Sequence, residues 1–219
     1  DLHTPLTNIS SSIDKLMQEA LLPDPAARKK LYTAIYDDTN WLMNMTENLL
    51  VATHLETDRE SFKMRPERIE DLFRRAVAQL DRRAAEHHIS VHLEDAALMA
   101  TMNARLIERV IINIMNNAIQ YTPKGSHIEL RGTKKGNAVE IRVTDGGPGI
   151  SADAKRHLFD LFYTAGQEKA DCQRGLGLGL NLCQSIVAMH GGKIDVLDHV
   201  PNGTAFRFVL PLVSPEAGR

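Results

Sequence analysis

Apolar residues recur along the first 60 positions with the spacing of a helical seam. Leu2, Leu6, Ile9, Ile13, Leu16 and Ala20 stand 4, 3, 4, 3 and 4 residues apart, the period of a bundle or coiled coil. A second series, Leu31, Ile35, Asp38, Leu42, Met45, Leu49 and Ala52, follows a break at Pro23 and Pro25. The pattern predicts an antiparallel helical hairpin over residues 1–60. So narrow an apolar stripe buries too little surface to hold one hairpin together, so two copies are expected to pair as a homodimeric four-helix bundle. The alternative is that these helices pack on the remainder of their own chain.

From Ser61 the pattern changes. Residues 61–65 read as a linker, and Pro66 suits the first turn of a helix carrying Ile69, Leu72, Phe73, Ala76, Val77 and Leu80. A strand at 89–93 and a long apolar helix at 103–121 follow. Two alternating segments, 127–132 and 138–144, read as a hairpin turned at Lys134-Lys135-Gly136-Asn137. Next come a short helix at 152–162, a polar stretch at 164–174, a helix at 178–190, and strands at 193–197 and 204–210. The fold class expected is α+β: the helical hairpin, then an α/β sandwich over residues 66–214 with helices on one face of a mixed sheet, and a tail at 215–219.

Composition narrows the chemistry. An apolar share of 43% in 219 residues supports a real core, and 28 acidic against 26 basic side chains leave no overall positive field for nucleic acid. The two cysteines, Cys172 and Cys183, have no metal-ligand spacing and suit a reducing cytoplasm. No window approaches about 18 consecutive apolar residues, so direct membrane insertion is not expected. The chain opens inside a helical pattern without methionine, and the expectation is a piece of a longer protein.

Chemistry concentrates in the second domain. Gly175-Leu176-Gly177-Leu178-Gly179-Leu180 removes alternate Cβ atoms at the start of a helix, where backbone N–H groups can close on an anion. Alone it is equally a tight loop entering a buried helix. Asn113 and Asn117, four apart on one helix face, offer neutral amide oxygens to a metal, or a pair satisfied by backbone. Asp145-Gly146-Gly147-Pro148-Gly149-Ile150 follows a strand, so the carboxylate can accept from an amine while a planar ring lies over the glycines; an ordinary turn is the other reading. Phe159 and Phe162 precede the 164–174 stretch, which has the look of a lid whose Lys169 or Arg174 reaches phosphates.

In this order the motifs resemble the catalytic region of the bacterial sensor histidine kinases of two-component systems, whose ATPase fold is shared with gyrase, the Hsp90 chaperones and MutL. Residues 113–118 resemble the N box, 145–149 the first glycine box, 159–162 the F box, 175–180 the second glycine box, and Gly203-Thr204 the last. The resemblance implies ATP and Mg²⁺ as cofactors, with Asn117 as the metal ligand and Asp145 on the adenine amine. It further implies nucleotide contacts from Asn113, Tyr121, Lys124, Gly147, Gly149, Ile150, Phe162, Arg174, Gly175, Leu176, Gly177, Leu178, Gly179, Leu180 and Thr204. Hydrolysing relatives carry a glutamate where Asn113 stands, and an amide cannot serve as a base toward water. Gln120 replaces the lysine usual after the N box, with Lys124 a substitute.

Residues 1–7, Asp-Leu-His-Thr-Pro-Leu-Thr, resemble the tail of the H box. Alignment on Pro5 puts the phosphoacceptor histidine one residue before Asp1, so His3 is not the acceptor. Asp1 becomes the acidic neighbour that orients the acceptor and Thr4 the residue that places a water for dephosphorylation. Residues 41–53 resemble the Kdp-type potassium-responsive sensor kinases. The implied function is ATP-dependent phosphorylation of that histidine and relay to an aspartate of a response-regulator receiver domain, in the cytoplasmic part of an inner-membrane-anchored parent. The competing readings are an ATP-hydrolysing conformational machine and a non-catalytic dimerising scaffold or phosphatase.

Overall fold

The computed structural model describes residues 3–17, 24–36, 38, 39, 42, 46, 63–160, 163 and 179–212. The chain divides into two compact units, Asp1–Arg59 and Glu60–Arg219.

The first unit carries helix α1 (His3–Met17) and a second helix, α2, over residues 25–36. The proline pair does more than break a pattern. Asp24 Oδ1 accepts from the Ala26 N–H at 3.0 Å and its carbonyl accepts from Arg28 at 3.2 Å, so Asp24 caps α2 and Pro25 fills the first position, where no N–H is needed. The seam is only partly covered. Ile9, Leu16, Leu31, Ile35, Asp38 and Leu42 are half-buried, whereas Leu6 and Ile13 are exposed by 54% and 42%. Leu2, Ala20, Met45, Leu49 and Ala52 lie outside the described residues.

The second unit begins with a correction. Pro66 does not open a helix but lies in strand β1 (Arg65–Arg68), paired antiparallel with β3 (Met99–Met102). Only then does α3 (Ile69–Ala78) start, the Ile69 N–H donating to the Leu98 carbonyl at 3.0 Å. A proline is tolerated here because β1 pairs with β3 alone among the described residues and so is an edge strand. A 3₁₀ turn (Arg82–Glu86), capped by Asp81, leads into β2 (His88–Leu93). After β3, Asn103 caps α4 (Ala104–Tyr121), its side chain accepting from Leu106.

Strands β4 (His127–Lys135) and β5 (Ala138–Asp145) form the expected hairpin, with the turn confined to Gly136 and Asn137. Lys134 and Lys135 belong to the ladder, opposite Val139 and Ala138. Helix α5 (Ala152–His157) stops before the F-box aromatics; α6 (Gly179–Met189), β6 (Ile194–Asp198) and β7 (Thr204–Pro211) complete the unit. The sheet order is β2-β4-β5-β7-β6, with β2 parallel to β4 and the other pairs antiparallel, so the mixed sheet holds.

Core formation follows the periodicities. Helix α4 buries Ile107, Val110, Ile111, Ile114, Met115 and Ala118, a 3- and 4-residue repeat, while β4 buries Ile128 and Leu130 and β7 buries Phe206, Phe208 and Leu210. Each large side chain so buried contributes about 1.5–3 kcal/mol relative to exposure. Because α4 lies between α3 and α6 and touches β5, the face that carries Asn113 and Asn117 is fixed by this packing.

Candidate nucleotide site

Strand β5 delivers Asp145 to the mouth of the site, 7% exposed. Its Oδ1 accepts from the Gly147 N–H at 2.9 Å and from the Thr204 N–H at 3.3 Å; Oδ2 accepts from no described residue. Burial raises the carboxyl above its ordinary range, opposed by the two N–H groups and the charge of nearby His199. The carboxylate is thus held rigidly with one oxygen left for a donor.

Two glycines make this approach possible. A Cβ on Gly147 would meet Asp145 Oδ1 and Thr122 Cγ2 at 2.9 Å, and one on Gly203, at φ +135°, would lie 1.9 Å from the Asp145 carbonyl oxygen. The loop after β5 and the turn before β7 therefore close on Asp145 only without side chains. Gly149 and the half-buried Ile150 finish the loop, and Thr204 is buried beside it.

Helix α4 supplies the amides. Asn113 Nδ2 donates to Cys183 Sγ at 3.3 Å, and a Cβ on Gly179 would come within 2.5 Å of that same nitrogen. Gly179 thus lets the start of α6 lean on Asn113, with half-buried Leu180 beside it. Asn117, one turn further on, is half-buried and its side chain bonds to no described residue, while the side chain of Asn116 on another face accepts from the Asp81 N–H at 3.1 Å. At the end of α4 the exposed Tyr121 borders a cavity of about 520 Å³ that runs from residues 120–123 to the loop 146–148, with Asn202 at its rim.

Not every expected residue joins this group. Lys124, 79% exposed at its side chain, pairs with Glu86 at 3.0 Å. Thr4 belongs to α1 in the other unit. Asp1, Phe162, Arg174, Gly175, Leu176, Gly177 and Leu178 lie outside the described residues, as do Lys169, Cys172 and the 164–174 stretch.

Two residues outside the expected site are parts of its framework. Cys183 is fully buried against Asn113, its thiol pushed up to about 12 by burial. The small pair Gly179 and Cys183, four apart, was the available signal for a close helix contact. His190, 2% exposed, accepts from the Asn103 N–H at Nε2 (2.9 Å) and donates from Nδ1 to the Ile186 carbonyl (2.7 Å), tying the end of α6 to the start of α4. Burial holds its imidazole below the usual histidine range.

A mixed sheet covered by helices on one face, with a buried strand-end carboxylate over a glycine loop, defines a nucleotide-binding α/β sandwich. Residues 102–214 match the histidine kinase-, DNA gyrase B- and HSP90-like ATPases, and the chain belongs to that family. Its relatives are sensor histidine kinases. It is 36% identical over 211 residues to the sensor protein KdpD of Clostridium acetobutylicum, covering 96% of this chain and 23% of that protein. The catalytic domain of histidine kinase ThkA superposes with a TM-score of 0.60 at 26% identity, covering 68% of this chain and 95% of that domain. Histidine kinase ThkA in complex with the response regulator protein TrrA matches with a TM-score of 0.69 at 25% identity, over 96% of this chain and 58% of the kinase. The chain spans between about a fifth and a half of the length of the curated relatives it matches.

Proposed function

We propose that this chain is the catalytic and phosphotransfer region of a two-component sensor histidine kinase. The supporting observation is Asp145: one carboxylate oxygen is saturated by the Gly147 and Thr204 N–H groups and the other is open to the adenine amine. Asn117, an amide oxygen without a partner among the described residues, fits a hard oxygen-seeking cation on the same face of α4. When bound there, Mg²⁺ would neutralise charge on the ATP phosphates.

The nucleophile is an imidazole nitrogen of the histidine that the H-box resemblance puts one residue before Asp1. It attacks the γ-phosphorus, the bond to the bridging oxygen breaks, and ADP leaves. Asp1 orients the imidazole and accepts its proton. Asn113 cannot deprotonate water, and its Nδ2 is engaged by Cys183, so the phosphoryl group is kept from hydrolysis. The phosphoryl group then passes to a receiver-domain aspartate, as the ThkA complex with TrrA suggests for this chain. Exposed Leu6 and Ile13 on α1 are the surface through which two hairpins pair. Thr4 serves the reverse, phosphatase reaction. No helix among the described residues is long and apolar enough to cross a membrane, and the chain is read as the cytoplasmic region of an anchored parent.

Titration with a fluorescent ATP analogue and Mg²⁺ tests the reading. Saturable binding is expected, and Asp145→Asn should weaken it by roughly tenfold to a hundredfold, the cost of facing one amine with another, about 1–3 kcal/mol. Binding should also weaken on acidification at a pH above the usual carboxylate range, because burial raises Asp145. Absence of saturable binding supports the scaffold reading. Radiolabel from ATP on a chain extended upstream should be acid-labile and base-stable.

A further inference from the structure

Asn113 occupies a slot whose shape does not distinguish its oxygen from its nitrogen. A Cβ built on Gly179 would meet Nδ2, Oδ1 and Cγ of Asn113 at 2.5, 2.8 and 3.1 Å, so the flat amide lies broadside on the first residue of α6. Turned by half a rotation about its Cβ–Cγ bond, the amide fills the same space with oxygen and nitrogen exchanged. Packing therefore fixes the plane of the amide, and only hydrogen bonding fixes which atom lies on which side.

Among the described residues one group makes that choice. Asn113 Nδ2 donates to Cys183 Sγ at 3.3 Å, and Oδ1 accepts from no described residue. The sulfur is free to accept because its own hydrogen is directed elsewhere, toward the Val110 carbonyl at 3.9 Å. Burial keeps that hydrogen in place: the thiol is pushed up to about 12, against the pull of the Asn113 N–H and the charge of Arg109. At neutral pH Cys183 is thus an uncharged acceptor, buried on α6 four residues beyond Gly179.

The orientation decides what Asn113 can bind. With Nδ2 turned to sulfur, the atom left for a ligand is an oxygen. An amide oxygen attracts cations and the hydrogens of water or N–H groups, and it repels the oxygens of a phosphate. Asn117 lies one turn further along the same face of α4, about 6 Å by helix rise, and no described residue engages its side chain. Held as it is, Asn113 adds a second amide oxygen to that face. Reversed, it would set two N–H donors toward the same cation and oppose it.

We propose that Cys183 is a positioning residue: its sulfur holds the Asn113 amide with Oδ1 toward the hydrated Mg²⁺ that accompanies ATP. The inference rests on the nucleotide reading above. Its signature is the ratio of affinities for a fluorescent ATP analogue with and without Mg²⁺, titrated on the full chain. A folding defect that lowers the competent fraction weakens both affinities alike and cancels in the ratio. Cys183→Ala removes volume and Cys183→Val adds it, yet both delete the acceptor, so each should lower the ratio about twofold to tenfold. Cys183→Ser keeps a group that donates to Val110 and accepts from Asn113, so its ratio should stay close to the parent's; a packing role alone would rank serine below valine. In an Asn113→Ala background, Cys183→Val should lower the ratio no further. A ratio unchanged by both alanine and valine, a serine variant that falls with them, or an equal drop in the Asn113→Ala background would overturn the proposal. A parent chain without saturable binding would instead overturn the nucleotide reading and this inference with it.

Discussion

In the sandwich, α4 sinks Ile107, Val110, Ile111 and Ile114 beneath neighbouring elements with no residual exposure, whereas α1 of the first unit buries only Pro5 and leaves Leu6 and Ile13 open. Both helices are amphipathic, and the difference lies in what their chain offers as cover. Helix α4 has α3 and α6 beside it and touches the sheet. Among the described residues of the first unit only Pro5 is buried, and on the function proposed above a second chain covers the open stripe. In the proposed dimer the sandwich core and the open α1 stripe answer to different variables: the first to intrinsic stability, the second to protein concentration.

The severest way to break the contrast is Gly203→Val. A Cβ there collides with the Asp145 carbonyl at a backbone conformation closed to valine, so the cost should exceed about 4 kcal/mol and erase the cooperative thermal transition of the sandwich. A transition surviving within a few degrees of the parent would refute the packing described. Next, Ile111→Ala should destabilise the sandwich by about 2–5 kcal/mol in denaturant titrations. Ile13→Ala should leave that transition within about 0.5 kcal/mol and instead raise the dimer dissociation constant measured by sedimentation. Equal effects of the two substitutions on both readouts would dissolve the distinction between the units.

Acid provides a gentler probe. His190 is held neutral in the folded state, its affinity for protons below the ordinary value, while the unfolded chain takes one up as pH falls through about 6.5. The unfolded state then binds more protons, so this contribution to sandwich stability is full above that pH and is lost as pH falls toward the lower, folded-state value. A His190→Gln variant should show a flatter stability profile from pH 7 downward; a slope identical to the parent's would remove His190 from the account. The smallest effect belongs to Arg156→Ala, whose exposed pair with Asp153 should contribute under about 0.5 kcal/mol.

Elements whose signal is local were readable from the chain. The helical repeat of α4, the β4–β5 hairpin and the glycine at its turn, and Asp145 at a strand end all depend on residues close in sequence. Strands β1 and β3 were not readable, because Arg-Pro-Glu-Arg and Met-Ala-Thr-Met carry no alternation and gain their form only by pairing with each other. Pro66 misled for the same reason: its fixed φ suits a helix start and an edge strand alike. Within the site, the glycine loop and the two asparagines were legible, whereas the Asn113–Cys183 contact spans 70 residues and the Lys124–Glu86 pair needs the 3₁₀ turn to bring it about.

The contact from His190 to Asn103 has a mechanical meaning as well. Helix α6 is tied at both ends: past its C-terminal end the Asn103 N–H donates to His190 Nε2, and near its N-terminal end Asn181 Nδ2 donates to the Phe159 carbonyl and Asn113 Nδ2 to Cys183 Sγ, with Gly179 packed on the Asn113 amide. A rod held at both ends moves with its supports rather than pivoting about one of them. Asn113, one turn of α4 away from Asn117, is therefore the point at which a displacement of Gly179 would be felt on α4.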